Sequence, residues 1–185
     1  MATRPRLAVF VYGSLLDPTA LDALFDDFQQ RVWPVTGQGF ERVCNQRASW
    51  RATEADQQAV LNVVRADGTW CNGLVVTDIQ RGELQAFKDR EAGYRLREVP
   101  TTDLEQYAAR DVDTTHLEST MPPIEEQDLV LTTTGTKVDH DIAPIPSYLD
   151  ECLVGASQWG ETFLADFEAT TETNTETDLA TYRTD

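Results

Sequence analysis

Near the start of the chain, Leu7-Ala8-Val9-Phe10-Val11-Tyr12 is an unbroken apolar run, rich in β-branched and aromatic residues, that stops at Gly13. Such a run predicts a buried strand, and a strand that ends on glycine predicts a tight turn. Helix signals follow at once. Asp17-Pro18 pairs a capping residue with proline at the first helical position, and Leu21, Leu24, Phe25 and Phe28 then recur at helical spacing. Only Gly13 to Leu16 separate strand from helix. Glycine there lets the backbone come close to a ligand, and the successive N–H groups ahead of a helix can point at an anion or a carbonyl oxygen. On spacing alone, the unit reads as a strand, turn and helix without chemistry.

A chain of 185 residues, 41% of them hydrophobic, can bury one substantial core, and no spacer divides it. The expected organisation is a single domain over residues 1–169 and a flexible polar tail over 170–185, where threonine alternates with acidic and amide residues. No stretch reaches the roughly 18 apolar residues of a membrane span, and Met1 to Arg6 lead straight into the first strand. A cytoplasmic protein without a membrane partner is expected. Cys44, Cys71 and Cys152 are odd in number and share no metal or redox spacing, so they read as reduced and buried.

Charge narrows the partners further. Aspartate and glutamate number 32 against 15 basic residues, a net charge of -17, and only Lys88 and Lys137 are lysine. Such a surface repels nucleic acid and anionic membranes. Many carboxylates, many threonines and almost no lysine resemble the proteins of salt-accumulating halophiles, where molar salt shortens the screening length to about 3 Å. Most of the acids therefore read as solvated surface, and an acid with a chemical task must stand out from them.

Further along, Arg31 to Val35 and Phe40 to Asn45 read as short strands joined by Thr36-Gly37-Gln38-Gly39, and Ala59 to Arg65 and Trp70 to Thr77 as a hairpin around Ala66-Asp67-Gly68. Asn72-Gly73 marks a bulge or a close backbone approach. Arg42, Arg47 and Arg51 form a positive exception that suits either an anionic substrate or surface ion pairs. Thr77 with Gln80 suggests a capping box for a helix running to Arg90 or Glu91, with Gly93 as its stop. Residues 100–127 carry little pattern, Asp128 to Thr133 is a further strand, and a long final helix from Ile145 buries Leu149, Leu153, Ala156, Phe163 and Phe167. Early strands with hairpins and one strand–helix unit together give a mixed α+β fold. Asp139-His140-Asp141 reads as a solvated loop rather than a metal site.

Glu91 is the acid that stands out. At about 100° per residue it lies about 20° from Leu84 and about 40° from Phe87, so it leaves the helix on its apolar face. Burial would penalise its ionised form and raise its pKa. The spacing leaves open a second arrangement, in which Glu91 swings out to solvent or pairs with Arg90 or Arg95.

Four motifs, taken in order, resemble the gamma-glutamylcyclotransferase-like family. They are Tyr12-Gly13-Ser14-Leu15 at the end of the first strand, Trp70-Cys71-Asn72-Gly73-Leu74, Asp89-Arg90-Glu91-Ala92-Gly93-Tyr94 and Pro146-Ser147-Tyr148-Leu149. The resemblance implies a small barrel-like mixed sheet flanked by helices, with a pocket at one mouth. It implies release of 5-oxoproline from a small gamma-glutamyl amide or peptide, by attack of the substrate's own alpha-amine on its gamma-carbonyl. Glu91 takes the family's acid/base position, and the backbone of Tyr12, Gly13, Ser14 and Leu15 takes the substrate-holding role. Tyr94 and Tyr148 would line the pocket, and neither metal nor organic cofactor is called for. The alternative is a binding or interaction domain that keeps the pocket without turnover.

If the charge reflects adaptation to salt, unscreened repulsion between surface carboxylates should weaken folding as salt is withdrawn. The thermal midpoint is expected to fall between roughly 3 M and roughly 0.1 M KCl, a range over which the screening length grows from about 2 to about 10 Å. Scanning calorimetry checks it, and a flat or rising midpoint at low salt counts against the adaptation.

Overall fold

The computed structural model describes residues 4–48, 57–107, 124–175 and 179. Strand β1 (Leu7–Val11) is followed by a short 3-10 turn over Ser14–Leu16 and by helix α1 (Pro18–Asp22). Two long strands come next, β2 (Val32–Arg47) and β3 (Gln57–Val76), then helix α2 (Arg81–Arg90), β4 (Tyr94–Val99) and the short β5 (Leu104–Gln106). The remainder is β6 (Leu129–Gly135), β7 (Ala143–Pro144), α3 (Pro146–Ser157), α4 (Glu161–Ala169) and β8 (Thr171–Glu172). The strands form one mixed sheet in the order β4-β6-β1-β3-β2-β5, with β7 added to β3 and β8 to β2. Most pairs are antiparallel, whereas β1 with β6, β2 with β8 and β3 with β7 run parallel. The fold is α+β, as the sequence indicates, with helices packed on a large curled sheet.

The expected pair of hairpins does not form. Each pair of short strands is one long strand, and β2 and β3 ladder together from Val32 opposite Val76 to Arg47 opposite Ala59. The turn residues act as bends instead. Gly39 (φ 74°) and Gly68 (φ 79°) are left-handed, and the register slips between Gln38 and Phe40 so that residues 66–69 bulge from β3 where β2 passes Gly39. Breakers that face each other across a ladder curve it without ending it.

Curvature brings the far half of this ladder round to the other edge of the sheet, where buried amides make the junction. The Gln46 amide donates to the Gly93 carbonyl (3.2 Å) and accepts from the Lys137 N–H (3.0 Å), and Asn62 accepts from the Gly135 N–H (2.7 Å). The result is barrel-like, with side chains standing in for ladder bonds.

Other expectations shift in detail. Asp17 caps α1 by accepting from the Thr19 N–H (3.0 Å), yet that helix stops at Asp22. The Asp26 N–H, which would have continued it, is given to the Glu83 carboxylate instead (2.9 Å). Leu21, Phe25 and Phe28 are buried all the same. The capping box of α2 is Gln80 with Glu83, one turn later than expected, and Gly93 (φ 98°) follows the helix end. Gly160 (φ 108°) divides the final helix into α3 and α4. Gly155 sits inside α3, where a Cβ would lie 2.7 Å from the backbone nitrogen of Asp17, so its absence of a side chain allows α3 to pack on the turn after β1.

The described part of the threonine-rich tract is not a free tail. Thr171–Glu172 pairs in parallel with Arg42 and Val43, and Thr171, Thr173 and Leu179 are buried. β-branched threonine suits a strand, and its hydroxyl here has a partner in the core. Residues 108–123 of the unpatterned region lie outside the described residues, but its start forms a 3-10 turn (Thr101–Asp103) and β5. The three cysteines are buried, and none is in a disulfide. No helix among the described residues is long and apolar enough to cross a membrane.

Asn72-Gly73 proves to be a close approach and not a bulge. A Cβ on Gly73 would stand 2.5 Å from both the Phe10 ring and the Val11 carbonyl oxygen. Gly73→Ala must therefore push β3 off β1, and overpacking of this kind typically costs about 1–3 kcal/mol. We expect the thermal midpoint to drop by several degrees, roughly 2–4 °C per kcal/mol for a chain of this size, as read by circular dichroism.

Candidate active site

Beyond the carboxyl end of β1 lies a small cavity lined by Val11, Tyr12, Gly13, Ser14, Leu15, Leu61, Phe87, Glu91, Tyr94, Thr133 and Tyr148. Tyr12, Gly13, Ser14, Leu15, Glu91, Tyr94 and Tyr148, the residues that the resemblance assigns to the site, are all in that lining. They arrive from four separate places: the turn after β1, the end of α2, the start of β4 and the first turn of α3.

Each element is steered there by identifiable bonds. Leu16 N–H donates to the Gly13 carbonyl (3.0 Å) and Asp17 N–H to the Ser14 carbonyl (3.4 Å), which tightens the turn and engages its carbonyls. The N–H groups at the start of such a turn have no partner within it. The indole of Trp159 donates to the Leu16 carbonyl (2.8 Å) and ties the turn to the α3–α4 junction. Tyr12 sends its hydroxyl to the Thr133 carbonyl (2.7 Å) and Tyr94 sends its own to the Leu61 carbonyl (2.6 Å), so both rings are fixed across the cavity. Burial pushes the phenols of Tyr12, Tyr94 and Tyr148 up, and all three stay neutral donors.

Glu91 sits just past the last turn of α2, its N–H donating to the Phe87 carbonyl (2.9 Å). Its side chain is only 18% exposed. Burial lifts its carboxyl above the usual range, against the opposing pull of Arg90 and of a hydrogen bond from Thr133. Both arrangements that the spacing left open are partly realised. The carboxylate faces the cavity, and its Oε1 is still 3.8 Å from Arg90 Nε. The Thr133 hydroxyl donates to Oε2 at 3.5 Å, and Arg90 also reaches the Ser14 hydroxyl at 3.4 Å.

Glu83, eight residues earlier on the same helix, shows what a structural acid looks like. Burial would raise its pKa too, but Arg31 grips it at 2.6 Å, the N–H groups of Gln80 and Asp26 donate to it, and its carboxyl is held below the usual range. A desolvated carboxylate with few donors holds a proton to higher pH than a fully bonded one does.

Sequence reasoning missed Val11, Leu61, Phe87 and Thr133 as lining residues. Only Thr133 leaves a trace, as one of three consecutive threonines in a strand that must turn some of them inward. The arginine cluster does not line the cavity. Arg47 pairs with Asp139 (2.5 Å) at the surface, Arg51 lies outside the described residues, and Arg42 is wholly buried elsewhere. Asp139 is thereby committed to Arg47, and among the described residues no group of three or more His, Cys, Asp and Glu side chains is arranged to hold a metal ion.

No protein-family model matches the chain, and no curated protein matches it significantly. Solved structures do resemble it. YkqA from Bacillus subtilis superposes with a TM-score of 0.61 at 17% identity over 90% of this chain, which spans only 54% of that protein. A gamma-glutamyl cyclotransferase gives 0.59 at 13% identity, covering 94% of this chain and 92% of that one. A glutathione-specific gamma-glutamyl cyclotransferase from yeast gives 0.56 at 14%, covering 96% and 99%. At such identities the likeness is one of fold.

A Cβ on Gly13 would lie 3.0 Å from the Tyr148 hydroxyl and 3.6 Å from Leu61, so a larger side chain there fills the cavity. If the cavity takes a gamma-glutamyl amide, as the motif resemblance implies, Gly13→Val should abolish binding of glutaramic acid, an analogue that lacks the alpha-amine and cannot cyclise. Isothermal titration calorimetry checks this; unchanged affinity in a folded variant removes the turn from the site.

Proposed function

We propose that the protein is an enzyme of the gamma-glutamylcyclotransferase type, releasing 5-oxoproline from a small gamma-glutamyl amide or peptide without metal or organic cofactor. The observation that carries this reading is the convergence of Glu91, desolvated and weakly bonded, with the Tyr12–Leu15 turn in one cavity. Two motifs far apart in the chain, each resembling part of one family's signature, meet within a few ångströms on a fold that enzymes of that activity also use.

The reaction is intramolecular. The Glu91 carboxylate takes a proton from the substrate's alpha-ammonium, the freed amine nitrogen forms a bond to the gamma-carbonyl carbon, and the carbonyl oxygen takes up negative charge. Collapse breaks the bond to the leaving amine, which receives the proton held by Glu91, and the restored carboxylate then takes the second proton from the ring nitrogen and passes it to the released amine, which departs as an ammonium ion. The products are 5-oxoproline and the protonated amine, and the carboxylate is left ionised for the next turnover. A pKa above the usual carboxylate range serves both directions, because the group must accept the proton and then give it back.

N–H groups of the Tyr12–Leu15 turn hold the substrate's alpha-carboxylate, which fixes the folded conformation and removes much of the entropic cost of ring closure. Others can face the developing oxyanion. Tyr94 and Tyr148 close the walls as neutral side chains. Ser14 also borders a second, open hollow lined by Asp17, Arg90, Ser147 and Val154, and on this reading the leaving amine departs on that side.

Glu91→Gln keeps the shape and loses the proton, so turnover should fall by about 10²- to 10⁴-fold while binding of glutaramic acid is largely retained. Because Glu91 must start ionised and its ionisation is displaced upward, kcat/KM of the native enzyme should rise with pH along a limb above the ordinary carboxylate range. That limb should vanish in the variant. Asp89→Asn, whose side chain pairs with Gln85 at the surface, is the control and should retain activity. A panel of gamma-glutamyl compounds, assayed for 5-oxoproline, measures all three; equal activity in Glu91→Gln and native protein overturns the assignment.

A further inference from the structure

Arg42 is the largest fully buried side chain among the described residues, at 0% exposure, and it is a cation. Among the described residues no carboxylate pairs with it. Its guanidinium is held by neutral acceptors only: Nε donates to Thr171 Oγ1 (2.8 Å), Nη1 to the carbonyls of Asn72 (2.7 Å) and Tyr12 (3.3 Å), and Nη2 to Asn72 Oδ1 (2.8 Å), Thr170 Oγ1 (2.8 Å) and the Phe167 carbonyl (3.3 Å). Its face lies 3.9 Å from the centre of the Phe167 ring. Asn72 is oriented in turn by donating to the Phe163 carbonyl (2.8 Å).

Burying an ion without a counter-ion is expensive, and an apolar side chain of similar volume commonly packs such a space at lower cost. Core filling therefore does not account for Arg42. Its bond to Tyr12 does. A trans peptide is planar, with C=O and N–H pointing in opposite directions. Drawing the Tyr12 carbonyl towards the core turns the Gly13 N–H of the same peptide plane away from it.

On the functional reading above, we propose that Arg42 is a positioning residue for the substrate-holding turn: by fixing the Tyr12 carbonyl, it aims the Gly13 N–H into the cavity. It touches neither substrate nor reacting atoms. Its other bonds, to Asn72 of β3 and to Phe167, Thr170 and Thr171 after it, make the C-terminal part of the chain the anchor from which the turn is set. Hydrogen bonds in series polarise one another, so a donor on the carbonyl also makes the N–H of that peptide a better donor.

The test compares three variants of the full chain. Arg42→Lys keeps the charge but cannot reproduce the planar fork, and Thr171→Val removes the Nε partner with little change of shape. Asp128→Asn weakens the Arg6–Asp128 ion pair (2.6 Å) at the opposite end of β1, and it matches a loss of stability without touching Arg42. Thermal midpoints, the Gly13 amide resonance in 1H–15N spectra, and the affinity for glutaramic acid are read for each. Arg42→Lys and Thr171→Val should shift the Gly13 resonance and weaken binding, about tenfold or more for Arg42→Lys. Asp128→Asn should lower the midpoint and leave both unchanged.

An unmoved Gly13 resonance in folded Arg42→Lys, or an equal shift in Asp128→Asn, overturns the proposal. If Arg42→Lys does not fold, Thr171→Val decides by the same criterion. If glutaramic acid fails to bind even the native protein, the functional reading falls, while the Gly13 resonance still decides whether Arg42 sets the turn.

Discussion

Every part of this fold hangs on one backbone ladder. β2 and β3, 16 and 20 residues long, pair along nearly their whole length and satisfy the N–H and C=O groups that each turns to the other, and backbone groups withdrawn from water must be satisfied somewhere. β1 and β7 attach to β3, and β5 and β8 attach to β2. The ladder could have stayed flat and open. It curls because two left-handed glycines, one on each strand, face each other in it. β1 accompanies β3 only from Leu74 to Val76, and the space past its end, between Leu61 of β3 and Thr133 of β6, belongs to the cavity. The candidate site thus exists where a strand stops short inside a curved sheet.

Two glutamates on α2 show how environment sorts chemically identical groups. Glu83 stabilises the helix start and the chain reversal before β2, with an arginine and two backbone N–H groups filling its oxygen lone pairs. Glu91 ends the same helix with a single hydroxyl at 3.5 Å and a distant guanidinium. Their pKa values move apart for that reason. In a chain with 32 acidic residues, the lack of donors around a buried carboxylate distinguishes it better than charge or position does.

Much of the candidate site was legible because its signals are local. An apolar run ending at Gly13 and a glutamate on the apolar side of a helix wheel can be read within a few residues, and both lead to the cavity. What failed were readings that needed a partner. Gly39 and Gly68 are turn formers in isolation, and nothing nearby in sequence tells that they face each other across a ladder. Asp22 looked like the middle of a helix because the claim of Glu83 on the Asp26 N–H comes from 57 residues away. Arg42 looked like surface or substrate contact because a buried cation without a counter-ion is the least expected state for arginine. The threonine tract was read as tail by composition, although the same β-branched side chains that make it polar also make it a usable strand.

The reach of Arg42 also bears on the order in which the molecule can assemble. Its guanidinium joins residues near positions 12, 72 and 170, while β1 draws its parallel partner β6 from about 120 residues further on. Contacts of such sequence separation are slow to form, because a long loop must close before they return any stabilisation. The turn that begins the chain's candidate chemistry is synthesised first and shaped last. If Arg42 sets the turn, a nascent chain that has produced Tyr12, Glu91 and even Tyr148 still holds an unset turn until Thr171 has emerged, and during that interval its excess of carboxylates keeps unfinished chains apart by mutual repulsion.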